Sequence, residues 1–163
     1  MEANPDYLPS ENIEATILTK RMKVTELNIF SRQEAAEFLK SFELVYTDLD
    51  HPNIRIFRFE ETGKIVGFGG LEIFGKLALL RSVAVAKQFQ GKKAGRFICQ
   101  WIEKWAKENQ LSDLYLLTTK APDFFAHLNF RVIPREEFPE PLRYTAQYSE
   151  LCPASAICMM KAL

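Results

Sequence analysis

A strand packed with Leu, Val and Ala runs straight into a glycine-bearing polar turn and then a long helix. This junction constrains the chain more than any other stretch. Residues 77–86 are apolar almost throughout, a density that predicts burial on both faces and a central place in a sheet. From Ala94 to Asn109, Phe97, Ile98, Trp101, Ile102 and Trp105 fall on one helical face, as core packing requires. Between them lies Gln88-Phe-Gln-Gly-Lys-Lys-Ala-Gly95. Backbone N–H groups at a helix start lack intrahelical partners and sit at the positive end of the dipole, which favours a bound anion. Glycines let the main chain approach such a ligand without an intervening Cβ. Lys92, Lys93 and Arg96 crowd positive charge where the dipole is already positive, an arrangement a polyanion relieves. A plain strand-to-helix turn with a solvated basic tip is the other reading, and the glycines alone do not separate the two. The spacing matches neither the phosphate-binding P-loop nor the dinucleotide fingerprint.

The rest of the chain supplies the frame. The first 22 residues read as an arm, and residues 23–163 as one domain of ordinary size. Lys23–Leu27 reads as a strand. Ser31-Arg-Gln-Glu34 predicts a capping box opening a helix through Phe42. Leu44 to Pro52 reads as a loop or short helix carrying Asp48, Asp50 and His51. Strands are predicted at Ile54–Phe59 and Ile65–Phe74, with turns at Thr62-Gly63-Lys64 and Gly75-Lys76. Beyond the long helix come a strand at Asp113–Thr118, a short helix at Pro122–Leu128, a strand at Phe130–Ile133 and a last strand near Ala156–Met160. The sum is an α+β domain, one mixed sheet flanked by helices.

Composition narrows the function. Hydrophobic residues make up 47% and charged residues 26% of 163 residues, which suits a packed core. Lys+Arg and Asp+Glu each number 21, so no basic field exists to hold a nucleic acid. No apolar run approaches the roughly 20 residues of a membrane span. Met1–Ser10 carries Glu2, Asp6 and no apolar stretch, unlike a secretory signal. Cys99, Cys152 and Cys158 are odd in number and read as reduced thiols of a cytoplasmic protein. Cys152 and Cys158 are too few for a structural zinc site, and no metal is expected.

Val83-Ala84-Val85 followed by Gln88-Phe-Gln-Gly-Lys-Lys-Ala-Gly95 resembles the acetyl-CoA motif of the GNAT N-acetyltransferases. The element order over residues 23–134 is similar to theirs. The resemblance implies a donor site of Val83, Ala84, Val85, Gln90, Gly91, Lys92, Lys93, Ala94, Gly95 and Arg96. In it the strand backbone pairs with the pantetheine arm, and amides from Gly91 to Arg96 hold the pyrophosphate. Lys93 stands where the family usually has glycine. Ala78-Leu-Leu-Arg-Ser-Val-Ala-Val85, Leu114-Tyr-Leu-Leu-Thr-Thr119, Phe124-Phe-Ala-His-Leu-Asn-Phe130 and Ser149-Glu-Leu-Cys-Pro-Ala-Ser-Ala-Ile-Cys158 resemble the arsenic-resistance N-acetyltransferases, related to amino-acid N-acetyltransferases. That likeness implies acetylation of a small amine, such as an amino acid or a glutamate-like organoarsenical, by a monomer or homodimer.

Two catalytic positions depart from the family. Leu79 sits where a Glu base is usual, and Phe125 where a Tyr acid is usual. Glu72, near the end of the preceding strand, is the candidate base, directly or through water; a solvated strand-end glutamate is the bland alternative. Tyr115 and Tyr144 are other candidate acids. Strand alternation puts Arg81 on the face of Leu79 and Val83, where it either receives a substrate carboxylate or pairs with an acid such as Glu72. Thr118 and Thr119 line the cleft or merely pair in the sheet. Two further readings stay open: a CoA-binding sensor or arsenical-binding protein without turnover, and a protein acetyltransferase.

Overall fold

The computed structural model describes residues 21–163, so most of the expected N-terminal arm lies outside the described residues. β1 (Met22–Leu27), α1 (Gln33–Ser41), β2 (Ile54–Glu61), β3 (Lys64–Phe74), β4 (Leu77–Val85), α2 (Ala94–Glu108), β5 (Asp113–Thr118), α3 (Pro122–Ala126), β6 (Arg131–Ile133), α4 (Glu140–Arg143) and β7 (Ile157–Ala162) follow one another along the chain. The strands form one seven-stranded sheet in the order β1-β2-β3-β4-β5-β7-β6. β4 lies at its middle, as its apolar density predicts. Every neighbouring pair is antiparallel except β4–β5, which is parallel. None of the described helices is long and apolar enough to cross a membrane.

The two sheet faces are covered by different elements. On one face α2 turns Ile98, Cys99, Ile102 and Ala106 against Phe57, Phe59, Leu71, Ala78, Leu80 and Leu114. Trp101 meets Phe57 and Phe59 edge-on, at centroid separations of 5.0 and 5.5 Å, so the tryptophan pair belongs to the core. On the other face Ala35 and Leu39 of α1 pack on Ile54, Ile56, Phe68 and Ala84. Phe138 and Leu142 cover Leu79, Ile133 and Cys158 further along. Gly67 of β3 permits the closest approach: a Cβ there would collide with the carbonyl oxygen of Ala84 in β4. Gly67→Ala is therefore expected to cost about 2 kcal/mol or more through forced separation of the two strands. A urea midpoint equal to wild type would contradict this.

The expected capping box does not form. Ser31 closes a 3₁₀ turn, Ile29–Ser31, and Arg32 takes the N-cap position of α1 without a side-chain cap. The Arg32 guanidinium is instead drawn inward to the carbonyls of Leu49 (2.6 Å) and Ile54 (2.7 Å), while Glu34 turns to Arg58 (3.3 Å). Buried carbonyls hold the arginine more strongly than an exposed turn holds the box.

Candidate active site

Only three residue pairs join β4 to β5: Leu77–Asp113, Ala78–Leu114 and Leu79–Tyr115. Beyond them the strands part, and among the described residues no strand lies along the β4 edge from Leu80 to Val85 on that side. A chamber of about 290 Å³ fills the split, walled by Leu80–Val83 and Leu116–Thr119 and roofed by residues 42–45, Gln147 and residues 151–153. Thr118 and Thr119 both line it. Thr118 is buried, and its hydroxyl accepts from the amide of Ala121 (3.1 Å). A second chamber, about 500 Å³, lies over the turn and the start of α2, lined by Val85, Gln90, Gly91, Lys93–Arg96 and Phe124. Phe124 borders both chambers, so they are neighbours.

The turn has the backbone an anion cradle needs. Gly91 (φ 75°) and Lys93 (φ 62°) are left-handed. Lys93 thus adopts the conformation that glycine takes most readily, and the departure in residue type keeps the turn's shape. Among the described residues no side chain caps α2; the first backbone bond runs from the Phe97 amide to the Lys93 carbonyl (3.0 Å), leaving the amides of Ala94, Gly95 and Arg96 without helical partners. Gln90 braces the strand end, its side-chain amide donating to the Val85 carbonyl (3.0 Å). Lys92 and Arg96 are exposed at the rim.

β4 carries a bulge. Phe68 faces Ala84 but Gly70 faces Arg81, so β4 holds one residue more than β3 over that stretch, and Ser82 takes φ 59°. Alternation resets there. Leu80 and Val83 both pack toward α2, whereas Leu79 belongs to the cluster on the opposite face. The expectation that Arg81 shares a face with both Leu79 and Val83 is corrected: two-residue alternation holds only up to the bulge.

Arg81 has a wholly buried side chain. Its Nη2 and Nη1 donate to the two Asp48 oxygens (2.5 and 2.7 Å), Nη1 also donates to Glu72 (3.1 Å), and Nε donates to the Ser82 hydroxyl (3.1 Å). Asp48 comes from the α1–β2 loop, a partner 33 residues distant that no local pattern signals. Glu72 is 3% exposed. Burial raises its pKa above the ordinary carboxylate value, Arg81 pulls it down and Asp48 adds to the rise. Glu72 does not line the split; it opens on a separate pocket of about 340 Å³ with Asp48, His51 and Tyr144.

At the position of the family's Glu, Leu79 is fully buried among Phe138, Leu142 and Cys158. Phe125 lines the split, edge-on to Phe124 and Phe130. Neither candidate tyrosine lines it. Tyr115 lies against Phe138, where burial raises its pKa, and Tyr144 is largely exposed with its hydroxyl directed at Glu140. Cys99 is buried, which pushes its pKa to about 12. Cys158 is buried in the apolar cluster and Cys152 borders the split. Among the described residues no group of three or more His, Cys, Asp or Glu is placed to hold a metal ion.

Gln147 is the residue that sequence reasoning missed. It opens a π-helical turn, Gln147–Leu151, is 6% exposed, and borders the split. A lone glutamine in an irregular segment gives no periodic or motif signal.

The sequence profile of the acetyltransferase (GNAT) family matches residues 21–130, and the chain belongs to that family. An uncharacterised N-acetyltransferase of Chlorobaculum tepidum is 28% identical over 81 residues, 49% of this chain and 52% of the relative; the match spans about half the relative's length. N-acetylglutamate synthase of Neisseria gonorrhoeae, solved with coenzyme A and L-arginine, superposes with a TM-score of 0.72 at 19% identity over 88% of this chain and 33% of its own. A Mycobacterium tuberculosis protein solved with CoA and NLQ gives a TM-score of 0.67 at 19% identity, covering 86% of this chain and 99% of its own. These structural likenesses establish the fold.

Proposed function

We propose that this chain transfers an acetyl group from acetyl-CoA to the amino group of a small substrate. The observation that carries the reading is the start of α2, uncapped among the described residues, beside a left-handed turn at the end of a β4 edge with no described strand along it. Those features fit a long ligand with a diphosphate in its middle. Amides from Gly91 to Arg96 hold the diphosphate, Lys92, Lys93 and Arg96 supply positive charge, and the Val83–Val85 backbone offers hydrogen bonds to an amide-bearing arm. Gln90 keeps the end of that edge in place. When bound, acetyl-CoA supplies the activated acyl carbon.

The acceptor lies in the split. Arg81, Thr118 and Thr119 border it, and Glu72 takes the ammonium proton through water, since it does not line the chamber itself. With Phe125 in place of an acid, the chain relies on positioning and on a leaving thiol whose pKa lies near about 8.5. An acceptor amino acid, including a glutamate-like organoarsenical, suits the size of the chamber; the family likeness and the neighbour solved with CoA and NLQ support this class.

The test is release of free thiol from acetyl-CoA with a panel of amino acids and glutamate analogues. Glu72→Gln is expected to lower kcat by about 100-fold while the Kd for CoA holds. The wild-type rate should climb with pH through the Glu72 pKa, which burial lifts above the ordinary carboxylate value, and the variant should lose that limb. An unchanged profile removes Glu72 from the mechanism. A CoA-binding module without turnover is the second reading, favoured by the apolar surroundings of Leu79 and Phe125; it predicts CoA binding with thiol release at the blank rate for every amine.

A further inference from the structure

A neutral side-chain amide stands at the split with no hydrogen-bond partner among the described residues. Gln147 is 6% exposed, lines the chamber, and its polar atoms are not sealed inside the protein. The backbone that carries it is held firmly. The Gln147 carbonyl accepts from the Cys152 amide (2.8 Å). Thr145, 2% exposed, donates its hydroxyl to the Leu142 carbonyl (2.7 Å) and accepts from the Tyr148 amide (3.3 Å). Arg135 lies over the Tyr148 ring at 4.4 Å and donates to the Tyr148 carbonyl. A side chain fixed at its base, with its polar atoms accessible and no described partner, is available to a ligand in the chamber it lines.

We propose that Gln147 recognises the acceptor, selecting small amines that carry a carboxylate or carboxamide oxygen over amines that lack one. The inference rests on the acetyl-transfer reading and deepens it. The chamber around Gln147 is rich in donors. The Ser82 hydroxyl accepts from Arg81 and keeps its own hydrogen to give. Arg81 spends its guanidinium on Ser82, Asp48 and Glu72 with its side chain wholly buried, and adds no donor to this wall. Gln147 adds two more donors and one acceptor. Of the carboxylates nearby, Asp48 and Glu72 open on the other pocket, and Glu43 stands at the rim, 81% exposed and paired with Lys120. An oxygen acceptor matches this wall; a bare alkyl group leaves its donors unpaired, the condition under which a site discriminates strongly.

The test compares wild type, Gln147→Leu and Gln147→Glu. The acceptors are L-leucine, L-methionine and L-phenylalanine, each beside its α-amide and its decarboxylated amine. Thermal melting and calorimetric CoA titration establish that each variant is folded. Gln147→Leu is expected to raise KM for the acids and amides by about 10- to 100-fold, with little change for the decarboxylated amines or for acetyl-CoA. Gln147→Glu should reject the acids more than the amides, because a second carboxylate now faces the first. If wild type turns over decarboxylated amines as well as the acids, or if either folded variant keeps the wild-type preference, the assignment is overturned while acetyl transfer stands. If wild type turns over no amine, the acetyl-transfer reading fails and this one with it.

Discussion

Gly91→Asp is expected to weaken CoA binding by about 1,000-fold, measured by calorimetric titration. Gly91 has φ 75°, and a Cβ there would meet nothing within 4 Å, so the substitution is not excluded by space. Two penalties remain. A side chain in the left-handed region is strained by about 1 kcal/mol, less for Asn and Asp than for most residues. A carboxylate beside a diphosphate adds like-charge repulsion of several kcal/mol, so repulsion outweighs strain. Gly91→Asn separates them: it carries the same shape and similar strain without the charge, and should lose no more than about tenfold. Equal losses for the two variants would place the effect in the backbone. Unchanged affinity for both would remove the anion from this turn.

Arg81→Ala is expected to destabilise the fold by about 3–5 kcal/mol, because it strands Asp48 and Glu72 as unpaired carboxylates on one face of the sheet. The sign of its pH dependence follows from Glu72. Its folded pKa is already raised by burial above the ordinary carboxylate value, and Arg81 is what holds it down. A carboxyl with a raised folded pKa contributes stability that is full below the unfolded value and is lost as pH rises through the folded one. Removing Arg81 lifts the folded value further and widens that window. The deficit relative to wild type should therefore be largest near neutral pH and shrink as pH falls toward the ordinary carboxylate range. A deficit that does not vary with pH would mean that lost packing dominates. Because the guanidinium already binds Asp48 at both oxygens, a raised acceptor KM in this variant must be read beside its melting curve.

The centre of the molecule was legible in the sequence because two strong local signals agree there. The apolar run of β4 and the amphipathic spacing of α2 marked both elements, and the glycine turn between them falls where the cradle is proposed. β5 falls at the predicted Asp113–Thr118, and β7 runs two residues past the expected Met160. What escaped was non-local or unmarked. Ser82 turns left-handed without being glycine, so nothing in the residue type announced the bulge that splits Arg81 from Val83. Ser31 and Glu34 matched a capping pattern but were outcompeted by buried carbonyls and by Arg58. The Asp48 clamp depends on a loop folding back across 33 positions. Gln147 acquires meaning only from the cavity beside it.

The two chambers draw their walls from largely separate stretches of chain. The one over the turn is built from residues 85–96 with a few from α3 and its C-terminal end, while the split takes its roof from residues 42–45, Gln147 and residues 151–153, and Phe124 alone borders both. A change in either roof segment therefore reshapes one compartment and leaves the amides of the other where they are. With the two chambers assigned as proposed, such a partition lets a lineage explore new amines by drift in two surface segments, while its grip on a common donor is inherited intact.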